Sequence, residues 1–499
     1  MDLISNLGLG LGVAFTPTNL VYCLAGALVG TLIGVLPGLG PVAAIAMLLP
    51  FTFTLQPTGA LIMLAGIYYG AQYGGSTTAI LINIPGENSS IVTCLDGHAM
   101  AKQGRPGPAL AIAAFGSFFA GCVATILIAV ASPPLSRAVQ AFGAAEYFSL
   151  MVLGLTGSVV LARGSPLKSI SMILVGLLLG CVGTDANTGS ARYTFGVLGL
   201  SDGLGFVAVA MGLFGLTEII VNIEKGLKDR EILHNRLTGL MPTRDDLKAA
   251  SPAIARGTII GSILGVLPGS GALLSSFAAY IVEKKIARDP SRFGRGAIEG
   301  VAGPEAANNA AAQTSFIPMM TLGIPGTPVM AMMIGAMMIH GIAPGPQVLT
   351  KQPELFWGLI ASMWLGNAML LVINLPLIGI WVRLLRVPYR SLFPAIMLFC
   401  AVGVYTVGNS AFDVLVTVGF GLFGYILVKL DFEPAPLLLG MILGPLMEEH
   451  LRRAMVVARG DVMAFLDRPV SLVLLALALV LLVMSALPTI QRKRDVLQE

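Results

Sequence analysis

The sequence predicts an all-α polytopic membrane protein, with about 10–13 transmembrane helices in two inverted-topology repeats that each carry a re-entrant helical hairpin. Three observations predict it: a scarcity of charge, a series of apolar windows of span length, and a motif that occurs twice. Of 499 residues, 56% are apolar and 11% are charged, where a soluble domain carries roughly a quarter of its residues as Asp, Glu, Lys and Arg. Thirty Lys+Arg and 26 Asp+Glu cannot solvate a chain of this length. A water-soluble globular enzyme is therefore excluded, and the lipid bilayer is the expected solvent.

Apolar windows that suit a bilayer core lie near 18–37, 58–74, 108–131, 147–163, 167–183, 204–223, 253–268, 326–343, 355–382, 391–408, 411–429, 434–447 and 469–489. The N-terminus lacks the basic region of a secretory signal, so the first span is expected to be retained. Lys102 is the first basic residue; basic residues then crowd into 225–256, into 284–295, and into the tail at Arg492, Lys493 and Arg494. By the positive-inside rule these segments are cytoplasmic and the N-terminus lies outside. The expected organisation is a first half at 1–223, a cytoplasmic linker at 224–252, a second half at 253–468, and a terminal span with a basic cytoplasmic tail at 469–499. Cys23, Cys94, Cys122, Cys181 and Cys400 form no C-x-x-C pair and read as packing residues.

Residues 30–40, G-T-L-I-G-V-L-P-G-L-G, match 261–271, G-S-I-L-G-V-L-P-G-S-G, with seven identities in eleven. Ile84-Pro85-Gly86 is matched by Ile324-Pro325-Gly326, and Pro106-Gly107-Pro108 by Pro344-Gly345-Pro346, at offsets of 240 and 238 after an initial 231. Such ordered self-similarity marks a duplicated unit. Each L-P-G-x-G follows a full apolar run and precedes one too short to span, Val42–Leu49 and Ala272–Val282, which reads as a helix that enters, unwinds and turns back. The second returns to the basic Glu283-Lys284-Lys285, the first to the uncharged Phe51–Thr58. The copies thus enter from opposite faces, as in carriers whose broken helices meet near the midplane. The plainer reading of these glycines is close helix packing.

Polar residues cluster after each break. The first cluster runs from Tyr68 to Thr78, with Ser76 and Thr77, and then Asn83; the second runs from Pro304 to Ser315, with Asn308, Asn309, Thr314 and Ser315. Such hydroxyls and amides, with Gly38, Gly40, Gly269, Ser270 and Gly271 at the breaks, can bind an anion through N–H and O–H donors, aided by helix N-termini. Freed carbonyls suit Na+. Interhelical hydrogen bonding is the alternative use of the same residues. Glu305, inside the second cluster, is the candidate cation ligand or proton carrier, because ionisable groups at membrane depth are costly. Asp185, Asp202, Glu218 and Asp413 are expected at span ends or in water-exposed loops, and His98 in a polar loop. No H-x-x-x-H or H-E-x-x-H zinc spacing and no phosphate-binding motif occurs, so the reading includes no catalytic residue, no resident metal, no cofactor, no nucleic-acid partner and no ATP motor.

Four strings, G-V-L-P-G-L-G-P (34–41), Y-G-A-Q-Y-G-G-S-T-T-A-I-L-I-N-I-P-G (69–86), D-G-H-A-M-A-K-Q-G-R-P-G-P-A-L (96–110) and G-P-E-A-A-N-N-A-A-A-Q-T (303–314), resemble the large membrane subunit of tripartite tricarboxylate transporters. The resemblance covers essentially the full chain. It implies a secondary carrier of the bacterial inner membrane that works with a small four-span membrane subunit and a periplasmic substrate-binding protein. It further implies uptake of a small organic anion, a citrate-like di- or tricarboxylate, by symport with Na+ or H+. An anion channel or a membrane scaffold without ion coupling is the alternative function.

Overall fold

The computed structural model describes residues 3–36, 40–161, 165–185, 188–225, 239–267, 271–384 and 389–486. Gly38, Gly269 and Ser270, most of the expected linker (226–238) and the basic tail after 486 lie outside these described residues. The first half comprises α1 (Leu3–Ala14), α2 (Pro17–Val35), α3 (Pro41–Thr52), α4 (Pro57–Ile82), α5 (Ile91–Lys102), α6 (Pro106–Gln140), α7 (Ala144–Leu161) and α8 (Pro166–Gly180). It continues through α9 (Phe206–Ala210), a π turn (Met211–Leu216) and α10 (Thr217–Lys225). In the second half are α11 (Arg244–Val266), α12 (Gly271–Ile286), α13 (Glu299–Thr314), α14 (Phe316–Leu322), α15 (Pro328–Ile339), α16 (Gln347–Lys351) and α17 (Pro353–Asn374). They are followed by α18 (Ile378–Leu384), α19 (Tyr389–Gly408), α20 (Ala411–Lys429), α21 (Pro434–Val457), α22 (Ala464–Asp467) and α23 (Pro469–Ala486). The only strands among the described residues, Gly183–Thr184 and Ala191–Arg192, pair antiparallel in one loop.

The chain is thus an all-α polytopic membrane protein. Each of the thirteen apolar windows holds a helix, but only six described helices are long and apolar enough to cross a bilayer by themselves: those starting at Pro17, Pro106, Phe206, Arg244, Pro353 and Ala411. Others, such as α3 and α15, stop at 12 residues. α11 starts at Arg244, inside the expected linker, where Thr243 and Asp246 form a reciprocal capping box.

Proline sets many of the starts. Pro17, Pro41, Pro57, Pro106, Pro166, Pro328, Pro353 and Pro434 each occupy the first turn of a helix. There the missing N–H removes one donor that would otherwise go unsatisfied, which matters most where water cannot serve as acceptor.

Glycine then determines which helices pair. In α2, Gly26, Gly30 and Gly34 lie so close to α4 that an added Cβ would overlap the carbonyl oxygens of Met63, Ile67 and Ala71 in turn. In α11, Gly257, Gly261 and Gly265 meet the carbonyls of Gly303, Ala307 and Ala311 of α13 in the same way. The glycines are 231 apart between copies and their partners 240 apart, the two offsets seen in the sequence motifs. The duplicated unit is therefore duplicated in three dimensions. Each copy then ends its helix in the left-handed region, at Asn83 (φ 56°) and at Gly323 (φ 73°), ahead of Ile-Pro-Gly.

The long helix α6 serves as a ruler. Its start packs against Gly239 and Leu240 through Gly107, and Arg105 just before it pairs with Asp246 of α11, its Nη2 lying 2.6 and 2.7 Å from the two carboxylate oxygens. Near its far end, Ser136 donates to the Pro346 carbonyl, 3.2 Å. From Pro106 to Ser136 the helix advances roughly 45 Å at about 1.5 Å per residue. The α11–α12 hairpin has its open end by Arg105. That of the α2–α3 hairpin lies by Phe53, which stacks on His340 with ring centroids 6.5 Å apart, a few residues from Pro346. The two hairpins open toward opposite ends of α6.

α4 and α13 run through the interior, and every α13 side chain from Gly300 to Thr314 is buried. α19, α20 and α23 instead present exposed Leu398, Leu415, Leu422, Val473 and Leu477, apolar faces suited to acyl chains.

Candidate functional site

The two polar clusters meet at Glu305. This carboxylate is fully buried, and its partners come from three helices. Ser76 of α4 donates to Oε2 at 2.6 Å, Asn308 donates to Oε2 at 3.3 Å, and the Thr93 hydroxyl of α5 donates to Oε1. None of these partners is charged. Asn309 extends the network: its Nδ2 donates to Ser117 Oγ of α6 (2.7 Å), to the Glu305 carbonyl (3.0 Å) and to Asn308 Oδ1 (2.7 Å). An uncharged donor shell holds the carboxylate without burying a permanent cation, which keeps the desolvation penalty to one ion.

A second layer lies one turn along. Thr125 of α6 donates to Gln313 Oε1 at 2.8 Å, and Tyr73 donates to Asn367 Oδ1 of α17 at 3.4 Å. Gly121 leaves room for both amides, since a Cβ there would stand 2.6 Å from the Asn367 amide and 2.7 Å from that of Gln313.

The structure brings Ser76, Asn308, Asn309 and Glu305 into one network and places Thr77 beside it, 2% exposed. Thr314 and Ser315 direct their hydroxyls to the carbonyls of Ala310 and Ala312 on their own helix. The Ser315 side chain still meets the Tyr68 hydroxyl, together with Thr327. Asn83 is exposed and ends α4 in the left-handed region, which Asn tolerates better than most side chains. At the first hairpin tip the Gly40 N–H donates to Glu218 Oε1, 3.1 Å, across from the π turn; at the second, Gly271 starts α12 at φ 52° beside Thr327. Thr93 and Ser117 were not singled out from the sequence. Each is a lone hydroxyl in an apolar run, a pattern shared with ordinary helix packing.

Three expectations are corrected. Glu218 lies within the membrane-spanning stretch Phe206–Glu224, facing Gly40 at the first hairpin tip, not at a span end or in a water-exposed loop. His98 lies in helix α5, not in a loop, with Nδ1 3.1 Å from the Ile80 carbonyl. Asp185 is 5% exposed rather than free in water: Arg452 bonds it at 3.1 Å and Arg192 stands 3.7 Å away, with Glu448 shared between the two arginines.

The sequence model of the tripartite tricarboxylate transporter TctA family matches residues 20–439, a stretch that holds both hairpins and both clusters. The chain belongs to the TctA family. This is a family of membrane transporter subunits, each the large subunit of a tripartite system. An Agrobacterium vitis protein described as "Uncharacterized 52.8 kDa protein in TAR-I ttuC' 3'region" is 58% identical over 495 residues, 99% of this chain and 98% of its own length. Another from the same organism, "Uncharacterized protein in TAR-II ttuC' 3'region", is 59% identical over 235 residues, 47% of this chain and 97% of its own. No solved structure matches. The TctA match stops before the Glu448–Arg452 ion pairs and α23, so the Glu305 network lies wholly inside the family region and that ion cluster partly outside it.

Proposed function

We propose that the chain is the transmembrane subunit through which a citrate-like di- or tricarboxylate enters the cell by cation symport, with Na+ or H+ as the coupling ion. In this reading a periplasmic binding protein delivers the anion, a small four-span subunit completes the membrane complex, and the assembly sits in the bacterial inner membrane. The N-terminus is periplasmic and the C-terminus cytoplasmic. The observation that carries the proposal is the arrangement of two duplicated hairpins that open at opposite ends of α6, with the polar clusters behind them joined at Glu305. Broken helices from two repeats around a polar centre are the architecture of secondary carriers. Orientation is supported by the basic residues Arg105, Arg244, Lys248, Arg256, Lys284, Lys285 and Arg288, all at the α11–α12 end, the end expected in the cytoplasm.

The substrate would be held between the two hairpin tips, near Gly40 and Gly271, with Glu305 and Ser76 behind them as the ion-responsive element. Uptake of labelled citrate into proteoliposomes containing all partner subunits tests this. Glu305→Gln and Ser76→Ala each remove a hydrogen bond to a charged group, about 1.5–3 kcal/mol. The expected loss of gradient-driven uptake is therefore roughly tenfold to a hundredfold, with the complex still assembled. Wild-type uptake in both variants would refute the role given to Glu305. Flux that never exceeds equilibration would point to a channel.

A further inference from the structure

Between the strand Ala191–Arg192 and the span Phe206–Glu224, the chain displays apolar side chains where a water-exposed loop would carry polar ones. Tyr193, Phe195, Val197 and Leu198 are 54%, 86%, 42% and 88% exposed. The stretch 193–201 contains no charged residue, while Arg192 and Asp202 flank it. An exposed apolar patch with a polar rim marks a contact surface.

The backbone narrows the choice of partner. The Val197 N–H donates to the Thr194 carbonyl at 2.8 Å and closes a turn whose central residues, Phe195 and Gly196, have φ of 50° and 75°. Turns with positive φ at both central positions ordinarily take Asn, Asp or Gly. Tyr193 is left-handed as well, at φ 53°, a region disfavoured for bulky side chains. In water, Asn at position 195 would relieve both the strain and the apolar exposure. Phe is worse on both counts, so an aqueous surface does not account for it. The tip is also held on a fixed base: Thr184 donates through its N–H and its hydroxyl to the Ser201 carbonyl, each at 2.9 Å.

The segment sits where bilayer and water meet. It follows the end of α8 at Gly180 and precedes the span that starts at Phe206, and a Cβ on Gly199 would stand 2.7 Å from the ring of Phe412 in the first turn of α20. Both α8 and α20 present exposed apolar side chains, Leu174 and Leu178 on the one and Leu415 and Leu422 on the other. The patch therefore continues a lipid-facing surface, at the depth where aromatic residues gather in membrane proteins. We infer that residues 193–198 are a lipid anchor. Phe195 and Leu198 enter the acyl region, Tyr193 stays among the headgroups, and the loop fixes the outer end of the helix that brings Glu218 to the first hairpin tip. In the orientation proposed above the leaflet is the periplasmic one; the contact with lipid depends neither on that orientation nor on symport.

Site-directed spin labelling of the full chain, in vesicles of phosphatidylethanolamine and phosphatidylglycerol, tests the anchor. Phe195→Cys, Leu198→Cys and, as the water-side reference, Ser190→Cys are labelled in a background without the five native cysteines. Relative to a water-soluble nickel chelate, dissolved oxygen should relax the labels at 195 and 198 several-fold more strongly than the label at 190. Phe195→Trp gives an independent reading: lipids brominated on the acyl chain should quench its emission beyond the level set by native Trp357, Trp364 and Trp381. Nickel access at 195 and 198 equal to that at 190 would place the loop in water and overturn the anchor. Low access to both reagents, without quenching by brominated lipid, would show that protein covers the patch and would overturn it equally. None of these readings involves uptake, so the anchor and the symport reading fail separately.

Discussion

Gly261→Leu is expected to prevent formation of a monodisperse, folded protein. An added Cβ at this position overlaps the backbone carbonyl of Ala307, and backbone cannot step aside as a side-chain tip can. Forcing extra methylenes into a packed interior costs about 1–3 kcal/mol even where neighbours can adjust. Here α11 must separate from α13, the helix that carries Glu305, so the upper end of that range is the minimum expected. Gly30→Leu should act alike in the other copy, since its Cβ meets the Ile67 carbonyl. Gly419→Leu supplies the comparison: nothing lies within 4 Å of a Cβ there, and the change should stay within about 0.5 kcal/mol. Size-exclusion profiles and Tm in detergent distinguish these cases. A folded Gly261→Leu protein with an unchanged Tm would contradict the close pairing of α11 and α13.

Asp96→Ala is expected to be the most damaging substitution outside the helix interfaces. Its carboxylate is fully buried. Oδ1 accepts the N–H groups of Gly294, Gly296 and Ala297 at 2.9, 2.8 and 2.8 Å, and Oδ2 accepts the Tyr280 hydroxyl at 2.9 Å. Positive φ at Gly294 and Gly296, 80° and 100°, turns successive amides toward one point, a backbone nest for an anion. The contact fastens α5 to the loop between α12 and α13 and so sets where α13 begins. Leaving several donors unsatisfied costs about 1–3 kcal/mol each where water is excluded, so a loss of about 3 kcal/mol or more is expected. Asp96→Asn keeps an Oδ1 acceptor and should recover much of it. Thermal unfolding and limited proteolysis at 291–297 measure both. Equal stability of the alanine variant and the wild type would show that the nest has no structural weight.

The helical, membrane-embedded character was legible because it depends on summed quantities, apolar length and charge, that local context does not alter. The repeat was legible for a different reason: Gly and Pro are demanded by backbone geometry, so they persist where side chains diverge. The motif at 30–40 and 261–271 accordingly coincides with the α2–α4 and α11–α13 contacts. α13 escaped the apolar windows because E-G-V-A-G-P-E-A-A-N-N-A-A-A-Q-T resembles a polar loop; only the enclosing helices make it a buried one. Asn83 illustrates the reverse. Its polarity drew it into the expected donor set, yet its counterpart Gly323 shares the left-handed backbone, and that conformation accounts for both residues. Thr93 and Ser117 could not be picked out, because their significance depends on which helix faces them, and no pattern within one helix carries that information.

The central claim is that the two hairpins open on opposite sides of the membrane, and site-directed cysteine labelling measures it most directly. Thr54, by the open end of the α2–α3 hairpin, and Arg288, by that of the α11–α12 hairpin, are both exposed, whereas native Cys23 and Cys400 are buried. In a background with the other native cysteines replaced, a membrane-impermeant maleimide should label Thr54→Cys in intact cells and Arg288→Cys only after the membrane is opened. Labelling of both positions from the same side would contradict the inverted arrangement and, with it, the proposed route for the anion.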